Sequence, residues 1–201
     1  MKARVIVPQK PLALAKGRLA AVLDPRTRAT LSLTLLRGVC VTLRAAADVE
    51  GLVVMTLDPD IRARVAAWGV RTITDPAPGL NHALAEALVS FSTRSHGLLV
   101  LAGDLPFLRP ADIAALLSAR TPRGIGLAPS KDGAGTNALL LPPGILLRPA
   151  FGRGSLVAHR RQALALGLTV TEIARPGLAF DLDTPADFAA YLVAEGSTRG
   201  G

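Results

Sequence analysis

The sequence predicts a single α/β domain built around a mostly parallel sheet with helices on both faces. Short apolar segments typical of strands alternate along the chain with longer segments of helical periodicity, which is the pattern of an α/β protein. The strand-like segments are apolar throughout rather than at every second residue, which indicates strands covered on both sides. A length of 201 residues fits one domain, and neither a repeat nor a linker divides it. We expect this domain to span residues 1–195, followed by a disordered tail at 196–201.

The strands are predicted from short apolar runs that end at Gly, Pro or charged residues. In chain order these runs are 4–7, 52–57, 70–73, 98–102, 124–128, 137–141 and 168–173. The run at 98–102 is the strongest strand candidate, and Gly103 and Asp104 follow it directly.

The helices are predicted from apolar residues that recur with a period near 3.6. In chain order they span 26–46, 59–68, 80–91, a segment from 110, and 155–166. A further helix begins at Pro185, because Thr184 is typical of an N-cap, Pro185 suits the first helical position and Asp187 favours the positive end of the dipole.

The composition excludes several classes of protein. Half of the residues are hydrophobic and the mean hydropathy is +0.39, which excludes a disordered chain. No apolar run reaches the roughly 18 residues of a membrane helix, and the start lacks the apolar core of a signal peptide. The single cysteine, Cys40, excludes a disulfide framework and a cysteine-based zinc site. We expect a cytoplasmic protein that does not bind a membrane.

The positive charge is concentrated near the N-terminus. The net charge is +8, and residues 1–44 carry nine Lys and Arg against one acidic residue, whereas the rest of the chain is balanced. Aromatic residues make up only 3% of the chain, too few for the stacking platforms that bind single-stranded nucleic acid. The pattern therefore favours a site for a small polyanion over a nucleic-acid partner.

Acidic residues in two segments are candidate ligands of a divalent cation. Asp104 follows a predicted strand directly, and ligands of open α/β sheets bind at the carboxyl ends of strands. Asp181 and Asp183 lie two residues apart, so that both point to the same side of an extended segment. Oxygen ligands without His or Cys favour Mg²⁺ or Mn²⁺ over zinc.

Basic and glycine-rich segments are candidate binding sites for anions. Lys10, Lys16 and Arg18 lie in the loop between the first strand and the first helix, which is how many α/β proteins hold phosphates. A solvated basic loop is the alternative. Gly152 and Gly154 precede a helix with Ser155 as a plausible N-cap, so its amides could hold a carboxylate or phosphate. His159 lies one turn into that helix, and a surface position is favoured there over a catalytic role.

Taken together, six motifs resemble the CofC/FbiD family of guanylyltransferases, which act in coenzyme F420 biosynthesis. They are the segment 10–19, the segment 79–81, the segment 103–106, Asp132 with 135–139, the segment 151–155 with His159, and the segment 181–185. They occur in the family's order and cover nearly the whole chain. The resemblance implies a Rossmann-like, GT-A-like nucleotidyltransferase fold, a three-layer sandwich with a mostly parallel central sheet.

The resemblance also implies a reaction. The phosphate of a small phosphorylated carboxylic acid would attack GTP and expel pyrophosphate. Phosphoenolpyruvate is the usual acid in bacterial members, and 2-phospho-L-lactate and 3-phospho-D-glycerate are the alternatives. The product would pass to the next enzyme of the F420 pathway.

By position, the resemblance implies a role for ten residues. Asp104, Asp181 and Asp183 would hold Mg²⁺ or Mn²⁺, and Asp104, Lys16 and Arg18 would act in catalysis. The acceptor acid would contact Thr136, Gly152 and Ser155. The nucleotide would contact Lys10, Lys16, Arg18, Asn81 and Asp104.

Other interpretations stay open at this point. The chain could be another nucleotidyltransferase of the same fold, acting on a molybdenum cofactor or a sugar phosphate, or a basic nucleic-acid-binding module. The oligomeric state is open between a monomer and a homodimer.

Overall fold

One seven-stranded sheet organises the protein. The computed structural model describes residues 2–74, 79–119 and 121–199. The strands are β1 (Ala3–Pro8), β2 (Val49–Met55), β3 (Arg71–Ile73), β4 (Gly97–Leu101), β5 (Gly124–Pro129), β6 (Thr136–Leu141) and β7 (Thr169–Glu172). Their order across the sheet is β3-β2-β1-β4-β6-β5-β7. The predicted α/β fold with a mostly parallel sheet is confirmed.

Strand β6 is the exception to the parallel arrangement. The pairs β1–β2, β1–β4, β2–β3 and β5–β7 are parallel, whereas β6 is antiparallel to both of its neighbours, β4 and β5. Because β6 runs the other way, its first residues lie at the edge of the sheet where β4 ends. The amide of Ala102, just after β4, donates a hydrogen bond of 2.8 Å to the carbonyl of Asn137. The reversed strand therefore adds its own N-terminal residues to the predicted ligand-binding edge.

Helices cover both faces of the sheet, as expected. The helices are α1 (Pro25–Ala45), α2 (Pro59–Ala67), α3 (Leu80–Phe91), α4 (Pro110–Ser118), α5 (Ser155–Ala165), α6 (Pro176–Ala179) and α7 (Pro185–Arg199). Side chains of α1, α2, α4 and α6 belong to the apolar cluster on one face, and those of α3 and α5 to the cluster on the other. None of the helices in the described part of the chain is long and apolar enough to cross a membrane.

Local sequence signals explain where the first two helices begin. Asp24 caps α1 by accepting hydrogen bonds from the amides of Arg26 and Thr27, at 2.9 and 3.1 Å. Asp58 caps α2 in the same way, and proline occupies the first position of each helix. This combination of an Asp cap and a following proline stabilises a helix start and makes it predictable.

The differences from the predicted elements lie at ends and in short turns. Strand β2 begins at Val49 rather than at residue 52, because residues 49–51 are held by pairing with β1 although they do not form an apolar run. Two 3₁₀ turns, Leu12–Leu14 and Gly17–Leu19, and the four-residue α6 were not predicted, since such short elements carry no periodicity. Helix α7 continues through Gly196 to Arg199, so it overlaps the tail expected at 196–201; residues 200 and 201 lie outside the described residues.

Helix α6 is packed tightly against the start of α4. Asp112, which is buried, accepts a hydrogen bond of 3.0 Å from Arg175 Nε at the start of α6. A Cβ atom on Gly177 would lie 2.6 Å from the carbonyl oxygen of Phe107 and would also collide with the Asp112 carboxylate. Glycine is therefore required here by close approach of backbone to backbone.

We predict that Gly177→Ala lowers the free energy of unfolding by about 1–3 kcal/mol, because the added methyl group forces α6 away from α4. The matched control is Gly196→Ala in α7, where nothing lies within 4 Å of the added Cβ. This change should raise the free energy of unfolding by up to about 1 kcal/mol, since alanine is the better helix former. Chemical denaturation of both variants measures the difference. Equal stability of the two variants would contradict the packing described for α6.

Candidate active site

A cavity of about 490 Å³ opens at the edge of the sheet where β1 and β4 end. Its walls come from the loop after β1, from α1, from the residues after β4, from the start of β6 and from the segment before α7. The polar and charged residues that line it are Gln9, Lys10, Lys16, Arg18, Ser32, Asp104, Thr136 and Asp183. The cavity therefore lies where the sequence predicted a ligand, at the carboxyl ends of the central strands.

Asp104 and Asp183 are brought together by a backbone hydrogen bond. The amide of Leu182 donates to the carbonyl oxygen of Asp104 at 3.1 Å. Leu182 is fully buried and packs with Leu19 and Leu35, which anchors the segment before α7. The two carboxylates, distant in sequence, consequently face the same cavity.

Lys16 lies between these two carboxylates. Its Nζ is 2.6 Å from Asp104 Oδ2 and 3.2 Å from Asp183 Oδ1, and its side chain is only 5% exposed. Its backbone adopts the left-handed region (φ 50°, ψ 40°), which costs a non-glycine residue about 1 kcal/mol or more. The two ion pairs offset this cost. Arg18 Nη1 lies farther out, 3.6 Å from Asp183 Oδ2, and its side chain is largely exposed.

The electrostatics of Asp104 show why a cation is needed at this place. Burial raises the pKa of the Asp104 carboxyl group, the Lys16 ammonium opposes this rise, and the charges of Asp183 and Asp181 add to it. A buried carboxylate beside two others is stabilised in its ionised form by a neighbouring positive charge. In the structure this charge is supplied by Lys16.

Asp181 is held by the start of β6. The side-chain amide nitrogen of Asn137 lies 3.3 Å from Asp181 Oδ1 and also donates to the carbonyls of Leu178 and Ala179, at 3.0 and 3.1 Å. Asn137 is buried, so these bonds fasten the segment between α6 and α7 to the sheet. Asp181 is near enough to act on the Asp104 charge, but it is not among the residues that line the cavity.

The start of α7 agrees with the cap that the sequence predicted. Thr184 Oγ1 accepts from the amide of Asp187 at 3.3 Å, and Asp187 Oδ2 accepts from the amides of Asp183 and Thr184 at 3.0 and 2.7 Å. Lys131 forms an ion pair with the same carboxylate. Thr184 and Asp187 thus fix the backbone on which Asp183 is presented.

The donor chemistry fits a hard divalent cation, although the side chains are not gathered around one point. Carboxylate oxygens from Asp104, Asp181 and Asp183 are the ligand type that Mg²⁺ and Mn²⁺ prefer. Within residues 2–74, 79–119 and 121–199, no three His, Cys, Asp or Glu side chains are arranged to hold a metal ion. Asp104 and Asp183 share Lys16 instead, and Asp181 is paired with Asn137.

The N-terminus of α5 lies beside the cavity and is the second polar element of the site. Gly152 and Gly154 have φ of 120° and 78°, which residues with a side chain rarely adopt, and Ser155 is the first residue of the helix. Ser155 is 1% exposed, and its Oγ has no hydrogen-bond partner in the described part of the chain. A buried hydroxyl group without a partner beside a helix N-terminus is suited to an anion.

Asn81 holds the loop that leads into α5. Its Oδ1 accepts from the amide of Phe151 at 2.7 Å, and its Nδ2 donates to the carbonyl of the same residue at 3.1 Å. Both polar atoms of the side chain therefore bond the backbone of one residue, Phe151. Phe151 lines the cavity, so this clamp also sets the position of the cavity wall.

His159 is buried between α5 and the start of β6. It is 0% exposed, and burial lowers the pKa of its imidazole to about 4. Its Nε2 accepts from the amide of Ala150 at 3.1 Å, and its Nδ1 lies 3.2 Å from Thr136 Oγ1. The expectation of a surface position for His159 is wrong, because the side of α5 that carries it packs on the sheet.

The structure brings together most of the residues that the sequence singled out. Lys10, Lys16, Arg18, Asp104, Thr136 and Asp183 line the cavity. The other four predicted residues, which stand beside the cavity rather than in its lining, are Asn81, Gly152, Ser155 and Asp181.

No role was assigned from the sequence to two polar lining residues and one anchor. Gln9 Nε2 donates to Ser32 Oγ at 3.1 Å, and both line the cavity; the anchor is Asn137. The only signal for Ser32 is a small polar residue on the buried face of an amphipathic helix, which does not identify a site by itself.

Solved structures of nucleotidyltransferases share the fold of this protein. A nucleotidyl transferase from Methanothermobacter superposes with a TM-score of 0.68 at 16% identity, covering 96% of this chain and 99% of that one. The 4-diphosphocytidyl-2C-methyl-D-erythritol synthase from Anaerococcus prevotii superposes with a TM-score of 0.61 at 9% identity, covering 97% and 96%. The fold is therefore that of the nucleotidyltransferases.

The sequence profile of one family within this class, described as "Guanylyl transferase CofC like", matches residues 3–199. The phosphoenolpyruvate guanylyltransferase of Sphaerobacter thermophilus is 41% identical over 183 residues, covering 90% of this chain and 88% of that protein. That of Rubrobacter xylanophilus is 41% identical over 192 residues, covering 94% and 93%. The chain belongs to the CofC-like guanylyl transferase family.

The low pKa of His159 predicts how stability depends on pH. The pKa of His159 is near 6.5 in the unfolded state, whereas in the folded state it is about 4. Between these values the unfolded state holds more protons, so the free energy of unfolding falls as the pH falls from 6.5 to 4, by at most about 3 kcal/mol. The matched control is His159→Asn, which cannot titrate. Chemical denaturation across this range should show that the difference in free energy of unfolding between the two proteins changes with pH. A difference that stays constant would contradict the buried neutral imidazole.

Proposed function

We propose that this protein transfers a guanylyl group from GTP to the phosphate of phosphoenolpyruvate and releases pyrophosphate. The observation that carries the proposal is a cavity with carboxylates and basic side chains on one wall and an unpartnered hydroxyl group at a helix N-terminus beside the other. Family membership and the names of the relatives support it. In coenzyme F420 biosynthesis the product then passes to the next enzyme of the pathway.

The chemistry requires alignment and charge neutralisation more than a base. A phosphate monoester has its second pKa near 6, so at neutral pH the acceptor is already an anionic nucleophile. One of its oxygens attacks the α-phosphorus of GTP, the bond from that phosphorus to the bridging oxygen of the β-phosphate breaks, and pyrophosphate leaves. The barrier comes largely from bringing two polyanions together, which positioned cations lower.

The basic loop after β1 binds the triphosphate in this proposal. Lys10, Lys16 and Arg18 line the cavity beside Asp104 and supply three positive charges. Mg²⁺ or Mn²⁺, held by Asp104 and Asp183 with Asp181 nearby, would neutralise part of the phosphate charge when bound. Lys16 then no longer has to compensate both carboxylates, and its ammonium group becomes available to a phosphate oxygen.

The acceptor binds on the opposite side, at the start of α5. Gly152 offers its backbone amide and Ser155 its unpartnered hydroxyl group, and Thr136 adds a second hydroxyl group from β6. For Asn81 the two hydrogen bonds to Phe151 favour a role in holding this loop. Its contact with the nucleotide stays a prediction.

The proposal is tested by measuring pyrophosphate release from GTP and Mg²⁺ with phosphoenolpyruvate, 2-phospho-L-lactate and 3-phospho-D-glycerate in separate reactions. We expect release with phosphoenolpyruvate. Asp104→Asn and Asp183→Asn should lower kcat/KM about 100-fold or more, since each removes a charge that organises the phosphates. The matched control is Asp60→Asn, an exposed carboxylate on α2, which should retain full activity.

Circular dichroism checks that all three variants are folded. Release with another of the acids instead would keep the reaction class and change the acceptor. No release with any acid, from folded protein that binds GTP, would contradict the proposal, as would normal activity of both aspartate variants.

A further inference from the structure

We propose that His159 is a positioning residue that fixes the hydroxyl group of Thr136 as a hydrogen-bond donor to an anionic oxygen of the acceptor substrate. The inference rests on the proposed function, because it concerns the acceptor side of the same cavity. The observation that carries it is the hydrogen-bond pattern around the buried imidazole, which leaves only one arrangement of protons.

Nε2 of His159 is a hydrogen-bond acceptor. The amide of Ala150 lies 3.1 Å from this atom, and a backbone amide can only donate. Nε2 must therefore carry a lone pair. Protonation of Nε2 would set two N–H groups against each other, which together with complete burial keeps the ring neutral.

Nδ1 of His159 is a hydrogen-bond donor. A neutral imidazole with an unprotonated Nε2 carries its proton on Nδ1. Nδ1 lies 3.2 Å from Thr136 Oγ1 and therefore donates to that hydroxyl oxygen. The ring is held in this orientation by the edge-on contact with Phe151, at 4.9 Å between ring centroids.

The hydroxyl proton of Thr136 is left available to a ligand. Since Oγ1 accepts from His159, its own proton has to be donated elsewhere, and no protein acceptor for it is found within the described residues. Thr136 is 8% exposed and lines the cavity, so the proton is available to a ligand there. A hydroxyl group whose proton is directed at the ligand is suited to bind an anion. A hydroxyl group that rotates freely can turn a lone pair toward the ligand as easily as its proton.

The same contacts exclude a role for His159 as a general base. The ring has no exposed surface, and both of its nitrogens are used by Ala150 and Thr136. His159 does not reach the reacting atoms, and it acts through Thr136. It also binds the segment that carries Gly152 and Ser155, so the two walls of the acceptor site share one support.

Two substitutions of His159 separate positioning from simple packing. Asparagine places an N–H near the position of Nδ1, whereas glutamine places its amide near Nε2 and leaves Nδ1 without a donor. We expect His159→Gln to raise the KM for phosphoenolpyruvate about 10-fold or more with little change in the KM for GTP. His159→Asn should retain most of the wild-type affinity for phosphoenolpyruvate.

Thr136→Val removes the hydroxyl group at nearly constant volume and keeps the test valid if the glutamine variant does not fold. It should raise the KM for phosphoenolpyruvate as much as His159→Gln, and the double variant should be no worse than Thr136→Val alone, since both changes remove one interaction. Equal effects of Asn and Gln at position 159, additive effects in the double variant, or an unchanged KM for phosphoenolpyruvate would overturn the inference.

The tautomer is measured independently of activity. ¹⁵N NMR of the wild-type protein should show a neutral His159 with its proton on Nδ1 at pH 7, and a proton on Nε2 would overturn the inference. Failure of the wild-type protein to transfer GMP to any of the three acids would instead contradict the proposed function, so the two failures are distinguishable.

Discussion

The ammonium group of Lys16 between Asp104 and Asp183 is the interaction on which the site depends. A backbone hydrogen bond from Leu182 to Asp104 places two carboxylates side by side, and burial makes the charge of Asp104 costly. Lys16 compensates both of them from a left-handed backbone position between two 3₁₀ turns. The fold has thus assembled a cluster of negative charge that the ammonium group of Lys16 stabilises.

The second constraint is the reversed strand β6. Had it run parallel to β4, its first residues would lie at the opposite edge of the sheet. Because it is antiparallel, Thr136 reaches the cavity and Asn137 ties down the segment that presents Asp181 and Asp183. One strand therefore connects the carboxylate wall with the acceptor wall. This shared support explains how two polyanionic substrates can be held in one alignment.

The sequence predicted well those features that depend on neighbouring residues. The apolar run before Asp104 identified a strand end, and Thr184 with Asp187 identified a helix start, since both signals lie within a few residues. It could not predict that Lys16 bridges Asp104 and Asp183, nor that Asn137 binds the segment after α6. These contacts join residues far apart in the chain. The burial of His159 was missed because the weakly amphipathic α5 does not indicate which side packs on the sheet.

A crystal structure with GTP and Mn²⁺, with the metal located by its anomalous scattering, tests this account most directly. We expect a manganese peak in contact with Asp104 and Asp183. We also expect that Lys16 Nζ has moved from the two carboxylates to a phosphate oxygen. Manganese bound elsewhere, with Lys16 still paired to both carboxylates, would contradict the account.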